Sequence, residues 1–155
     1  MRSKLCTAAL VAWLVTVSGL GWLFVKGWTV AGTDGRTEIV LAPAERDQIL
    51  AEMRQLLKAI GGVVSGLGTL QQGRKEAIQA ARRAGMTMAA DVNPAFLAKL
   101  PLAFKQMGMS VHQDMDRLAE AMVQGEPSDQ LLMRLSSMTA RCTTCHDMYR
   151  FSAEK

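Results

Sequence analysis

The chain opens with an unbroken apolar stretch: between Leu5 and Val25 there is no charged residue. As a helix it would be roughly 30 Å long, about the hydrocarbon thickness of a bilayer. Trp22, Phe24 and Trp28 collect at its far end, where interfacial aromatics sit. Arg2 and Lys4 precede it, which by the positive-inside rule keeps the N-terminus in the cytoplasm. Everything after Lys26 is then expected outside, in the periplasm of a Gram-negative bacterium. A cleaved signal peptide has a shorter apolar core, about 7–15 residues, followed by a small-x-small site. Here Lys26 interrupts the approach to the nearest such site, Val30-Ala31-Gly32. The pattern therefore predicts an uncleaved inner-membrane anchor over residues 1–27, with a soluble periplasmic protein after cleavage as the alternative. Cys6 lacks the preceding apolar stretch of a lipoprotein and reads as a membrane-embedded thiol.

Residues 28–42 show no hydrophobic period. Gly32, Thr33, Asp34 and Gly35 break any pattern, so a linker is expected there. Four amphipathic helices follow over residues 43–155. The first starts at Pro43, with apolar positions Ile49, Met53, Leu56, Ile60, Val63 and Leu67, the spacing of a bundle seam. Gly61, Gly62, Gly66 and Gly68 cost about 1 kcal/mol each in a helix, which suggests close approach by a neighbour or a flat ligand, or fraying near Gly66–Gly68. The second helix runs from about Gln72 to Met88 on Ala77, Ile78, Ala81, Gly85 and Met88. A turn at Asp91–Pro94 and a short piece Ala95–Leu100 lead to Pro101. The third helix then extends to about Gln124, with Phe104, Gly108, Val111, Met115, Leu118 and Met122 as its seam. Gly125–Ser128 separates it from the fourth, on Leu131, Leu135, Met138, Cys142, Cys145 and Tyr149. No segment alternates long enough for a convincing strand. The predicted class is all-α: an antiparallel four-helix bundle behind one transmembrane helix.

Composition narrows the function. The 155 residues amount to one domain beyond the anchor, and 49% are hydrophobic, which excludes a disordered chain. Of the 18 basic residues, Arg2, Lys4 and Lys26 flank the apolar run; the remainder nearly balance the 14 acidic ones. A nucleic-acid binder needs a concentrated basic face, and none is visible. Three Cys do not make a disulfide scaffold.

Two of those Cys stand in Cys142-Thr143-Thr144-Cys145-His146, the C-x-x-C-H signature of covalent c-type haem attachment. Two thiols at this spacing can add across the two haem vinyl groups, and the adjacent imidazole then reaches the iron. Export fits, because haem c is attached outside the bacterial cytoplasm. The other readings are weaker. A thioredoxin-type redox pair wants a βαβ unit nearby. A structural zinc site wants four ligands, and only His112 remains to add. A disulfide here would close a tiny loop and stabilise little. Chance occurrence is the fourth alternative.

The motif lies close to the C-terminus and continues as Asp147-Met148-Tyr149-Arg150, with the helices before it. In this the chain resembles the class II c-type cytochromes, the cytochrome c′ family, over roughly residues 43–153. The N-terminal anchor departs from that pattern. The resemblance implies one covalent haem c per chain, with Cys142 and Cys145 as thioethers and His146 as the proximal iron ligand. Arg141 and Arg150 are candidate propionate partners. The family's bundles often form homodimers, though no dimer face is evident in the pattern. The family supplies the distal residue from the first helix, where Met53 is the foremost candidate iron ligand. A Met ligand gives a low-spin electron carrier with a raised potential. If Leu57 covers the iron instead, the haem is five-coordinate and open to NO or CO. Met107 and Met109 are weaker candidates, and His112 would make a bis-His haem.

The leading expectation is thus a membrane-tethered, periplasm-facing monohaem cytochrome in electron transfer, not an enzyme, serving redox partner proteins of a respiratory chain. A gas-binding protein is the alternative. No distal acid–base set supports a peroxidase or reductase, and a bundle without haem remains if the motif is accidental.

Overall fold

Helix α1 spans Arg2–Lys26, and its large apolar side chains, Trp13, Leu20 and Trp22 among them, are exposed. It is long and apolar enough to cross a membrane. The rest follows as β1 (Thr29–Ala31), β2 (Thr37–Leu41), α2 (Pro43–Gly68), α3 (Gln71–Arg83), α4 (Met86–Ala89), α5 (Pro94–Lys99), α6 (Leu102–Val123), α7 (Ser128–Met148) and β3 (Tyr149–Ala153). The structure is a computed structural model that describes residues 2–69, 71–90 and 93–153, without the side chains of Arg2, Ser3, Gln71 and Gln72. Asp91 and Val92 of the expected turn lie outside the described residues. The fold is mainly α-helical.

The helix boundaries have local causes. Pro43 opens α2, and Glu45 turns back to accept the Ala42 amide at 2.8 Å. Asn93 caps α5 by accepting the Ala95 amide at 2.9 Å, with Pro94 as its first residue. At the end of α6, Gly125 adopts φ +83°; its amide reaches the Met122 carbonyl at 3.2 Å and that of Glu126 reaches Ala121 at 3.0 Å, a Schellman closure.

Part of each expected seam meets in a first core. Ala59 and Val63 of α2, Ala77 and Ala81 of α3, Val111, Met115 and Leu118 of α6, and Leu131, Leu135 and Met138 of α7 are buried together. Each large side chain there contributes about 1.5–3 kcal/mol of apolar transfer. The α2 glycines serve a neighbouring helix: a Cβ on Gly66 would meet Ala77 Cβ at 2.8 Å, and one on Gly62 would meet Ala80 Cβ at 2.9 Å. The second helix is shorter than expected, ending at Arg83, with α4 as a separate turn after Gly85.

Residues 28–42 do not form an open linker. β1 pairs antiparallel with β2, and β2 pairs parallel with β3, so the segment expected to be a tether joins the C-terminal residues in one sheet. Ile39 and Leu41 are 0% exposed. With Ile49, Phe96, Leu100 and Phe104 they form a second core, against which Met53, Cys145, Tyr149 and Phe151 pack. The expectation of no strand fails here for a physical reason. Thr37–Leu41 and Tyr149–Ala153 are five residues each, too short to show a period, and their extension depends on hydrogen-bond partners from other strands: β1 and β3 for β2, and β2 for β3.

Candidate cofactor site

The last helix presents the motif where this second core begins. Cys142 and Cys145 are three residues apart and therefore on one face of α7. Both are half-buried free thiols. Burial, with a smaller contribution from Cys142, pushes the Cys145 thiol up to about 11. Burial also raises Cys142, against the opposing charge of Arg141. Both therefore stay protonated at neutral pH, the reverse of the lowered thiol of a thioredoxin-type pair. Among the described residues no three His, Cys, Asp or Glu side chains gather as a zinc site would need.

His146 is exposed at the last turn of α7, and no hydrogen bond to its ring is present among the described residues. Its main-chain carbonyl accepts from Arg36 Nη1 at 3.2 Å. The helix stops at Met148 rather than running through Tyr149, which turns extended at φ −130°, ψ 149°. That turn sends Tyr149 and Phe151 back over the site.

A pocket of about 370 Å³ lies between α2, α7 and the sheet. Cys145 and His146 line it from α7, and Met53 lines it from α2. Leu50, Phe104, Tyr149 and Phe151 give it apolar walls, with Phe104 meeting the rings of Tyr149 and Phe151 edge to face at 5.5 and 5.7 Å. Arg36, Arg46 and Arg150 add positive charge. Its volume is within the usual range for small-molecule sites.

Of the two arginines singled out from the sequence, Arg150 lines this pocket and Arg141 does not. Arg150 donates from Nε to Glu38 at 3.0 Å, and its Nη1 stands 3.5 Å from Asp34. Arg141 pairs with Asp114 of α6, and its Nε is buried without a partner. Arg36 and Arg46 were missed, because neither belongs to the motif and Arg36 sits in the segment read as a linker. Arg36 donates to Asp34 from Nε at 2.9 Å, and Arg46 to Asp47 from Nη2 at 3.1 Å.

The distal candidates separate. Leu57 does not cover the site: it is 68% exposed and points away from the helix core. Leu50, one turn before Met53, lines the pocket instead. Met107 and Met109 do not line the pocket with His146. His112 is 3% exposed, with Nδ1 2.8 Å from the Ala84 carbonyl and Nε2 2.9 Å from Glu52 Oε1. Both neighbours are acceptors, so both ring nitrogens carry protons and neither is free for a metal.

No family model, curated protein or solved structure matches the chain.

Proposed function

We propose that this protein is a membrane-anchored monohaem cytochrome related in plan to the class II cytochromes c, with its haem covalently held on α7. The observation that carries this reading is the convergence of Cys145, His146 and Met53, from two helices, on one pocket of ligand size. The residues present fit the group. Cys145 lines the pocket as a free thiol, and Cys142, also free, stands outside its lining one helical turn away on the same face of α7; the His146 ring has no partner among the described residues, and aromatic walls suit a flat apolar ring system.

Haem c, when bound, supplies a one-electron iron couple. Cys142 and Cys145 would tether it, His146 would offer an imidazole, and Met53 of α2 would offer a thioether. A thioether ligand beside apolar walls would raise the reduction potential. Arg36, Arg46 and Arg150 offer cations for acidic substituents. The four seam helices, α2, α3, α6 and α7, read as the family's four-helix bundle, and the anchor places the haem domain on the periplasmic side of the inner membrane. Redox proteins of the same membrane are the partners.

The second reading is a five-coordinate haem that binds NO or CO. Leu50 and Phe104 beside Met53 favour it, because they would leave an apolar sixth position if Met53 stays in the core. One experiment separates the two. The full chain is expressed with haem-c maturation, and its ferrous spectrum is recorded with and without CO. Covalent haem with a low-spin spectrum unmoved by CO supports electron transfer. A high-spin spectrum that shifts supports gas binding. Failure to acquire covalent haem overturns both.

A further inference from the structure

We propose that the anchor and the globular part form one rigid unit, docked so that α5 and the first turn of α6 rest in the phospholipid headgroup layer. This rests on α1 spanning the bilayer.

The junction has no slack. Gly27 follows the last residue of α1 directly, with its amide on the Leu23 carbonyl at 2.7 Å. It sits at φ +68°, where a side chain is strained, and a Cβ there would stand 2.6 Å from the Pro101 nitrogen. The next amide, that of Trp28, donates to the Lys99 carbonyl at 2.8 Å. Two residues after the membrane helix the chain is thus already fastened to the α5–α6 corner, and Thr29 begins the sheet that reaches the candidate site.

Lysines and aromatic rings reinforce the corner. Lys105 Nζ donates to the Phe24 carbonyl at 3.1 Å and lies 3.7 Å from the Phe24 ring centroid. Lys99 Nζ stands 5.0 Å from the Trp28 ring, and Lys26 Nζ 5.5 Å from that of Trp22. Aromatic rings beside lysines are the side-chain pairing found at the membrane–water boundary.

Depth follows from reach. The apolar run ends at Val25, and at about 1.5 Å per residue Gly27 stands only about 3 Å beyond it. The headgroup layer on each side of the hydrocarbon is roughly 5–7 Å thick. Lys99, bonded to Trp28, therefore lies within that layer, and α5 and the start of α6 come with it. Lys105, bonded to the Phe24 carbonyl, marks the lower edge of that layer, and Lys26 ends α1 within it, while Lys99 is ion-paired with Glu45 at 2.8 Å.

The test uses full-length, haem-matured protein in vesicles of phosphatidylcholine and phosphatidylglycerol, with Cys6→Ser throughout. Ala98→Cys on exposed α5 and Ser136→Cys on exposed α7 are labelled with a membrane-impermeant maleimide, and each site is read by mass spectrometry. Docking predicts several-fold slower labelling at Ala98→Cys than at Ser136→Cys. Inserting a flexible Gly/Ser segment between Lys26 and Gly27 should remove the difference. Carbonate extraction of the same vesicles reports anchoring. Protein that stays with the vesicles yet labels equally at both sites overturns the docking and leaves the anchor intact. Protein that is extracted overturns the membrane premise itself.

Discussion

His112 and Glu52 form a part-buried ion pair that ties α6 to α2, with the ring donating from Nε2 to the carboxylate at 2.9 Å. Its second nitrogen donates to the Ala84 carbonyl, just past the end of α3, so one side chain holds three helices. This uses the only His outside the C-x-x-C-H motif for structure.

Stability should therefore depend on pH with a definite sign. Burial alone would lower the His112 pKa, but the bonds to Glu52 and to the Ala84 carbonyl outweigh it and raise the value above 6.5. The folded chain keeps a proton that the unfolded chain releases near neutral pH. The contribution is full below about pH 6.5 and is lost as pH rises through the raised folded value. Urea midpoints should fall over that range. Glu52→Gln should flatten the fall and cost on the order of 2 kcal/mol, since Glu52 is only partly buried. A wild-type midpoint that climbs through the same range would refute the pairing.

Met53 and Leu57 should behave differently although one turn separates them. Met53 lines the pocket with His146, whereas Leu57 faces solvent. If the haem is six-coordinate, Met53→Ala opens the iron to CO, seen as a new ferrous–CO band. Leu57→Ala should leave the spectrum unchanged and shift stability by no more than about 0.5 kcal/mol. A CO response in Leu57→Ala alone would contradict this arrangement.

Ile39 offers a test of the sheet. In an open linker its side chain would be expendable, but here it is fully buried under β2. Ile39→Ala should cost about 2–4 kcal/mol in urea unfolding. A change close to zero would mean that residues 28–42 do not pack on the domain.

The α2 glycines should respond in opposite directions. Nothing lies within 4 Å of a Cβ built on Gly61, so Gly61→Ala should stabilise by about 1 kcal/mol through helix propensity. A Cβ on Gly66 meets Ala77 and the Gly73 main chain, so Gly66→Ala should destabilise by about 1–3 kcal/mol. Thermal melts of the two variants would show it, and equal shifts would argue against the close α2–α3 contact.

Most of the helical plan was legible because each long helix carries its burial pattern locally. Ile49, Val63, Met115, Leu131 and Met138 were all read as seam residues, and all are buried. The Cys142–His146 motif is a contiguous pattern and so was visible in the sequence, and the structure puts Cys145 and His146 of it on one pocket. What escaped reading was the surroundings of the motif. Arg36 lies in a stretch with no period, and Leu50 had no feature to rank it above Leu57.

By itself the sequence determined the apolar N-terminal helix, the four seams and the order of Cys142, Cys145 and His146. These depend on interactions within a few residues, where hydrophobic periodicity and capping act. Only the tertiary structure decided that Thr37–Leu41 becomes a buried strand, that His112 belongs to Glu52 rather than to a metal, and that Met53 shares a pocket with His146. Each of those outcomes depends on a partner far away in the chain. A strand needs another strand's hydrogen bonds and a buried charge needs its counter-charge, and neither partner leaves a mark on the local pattern.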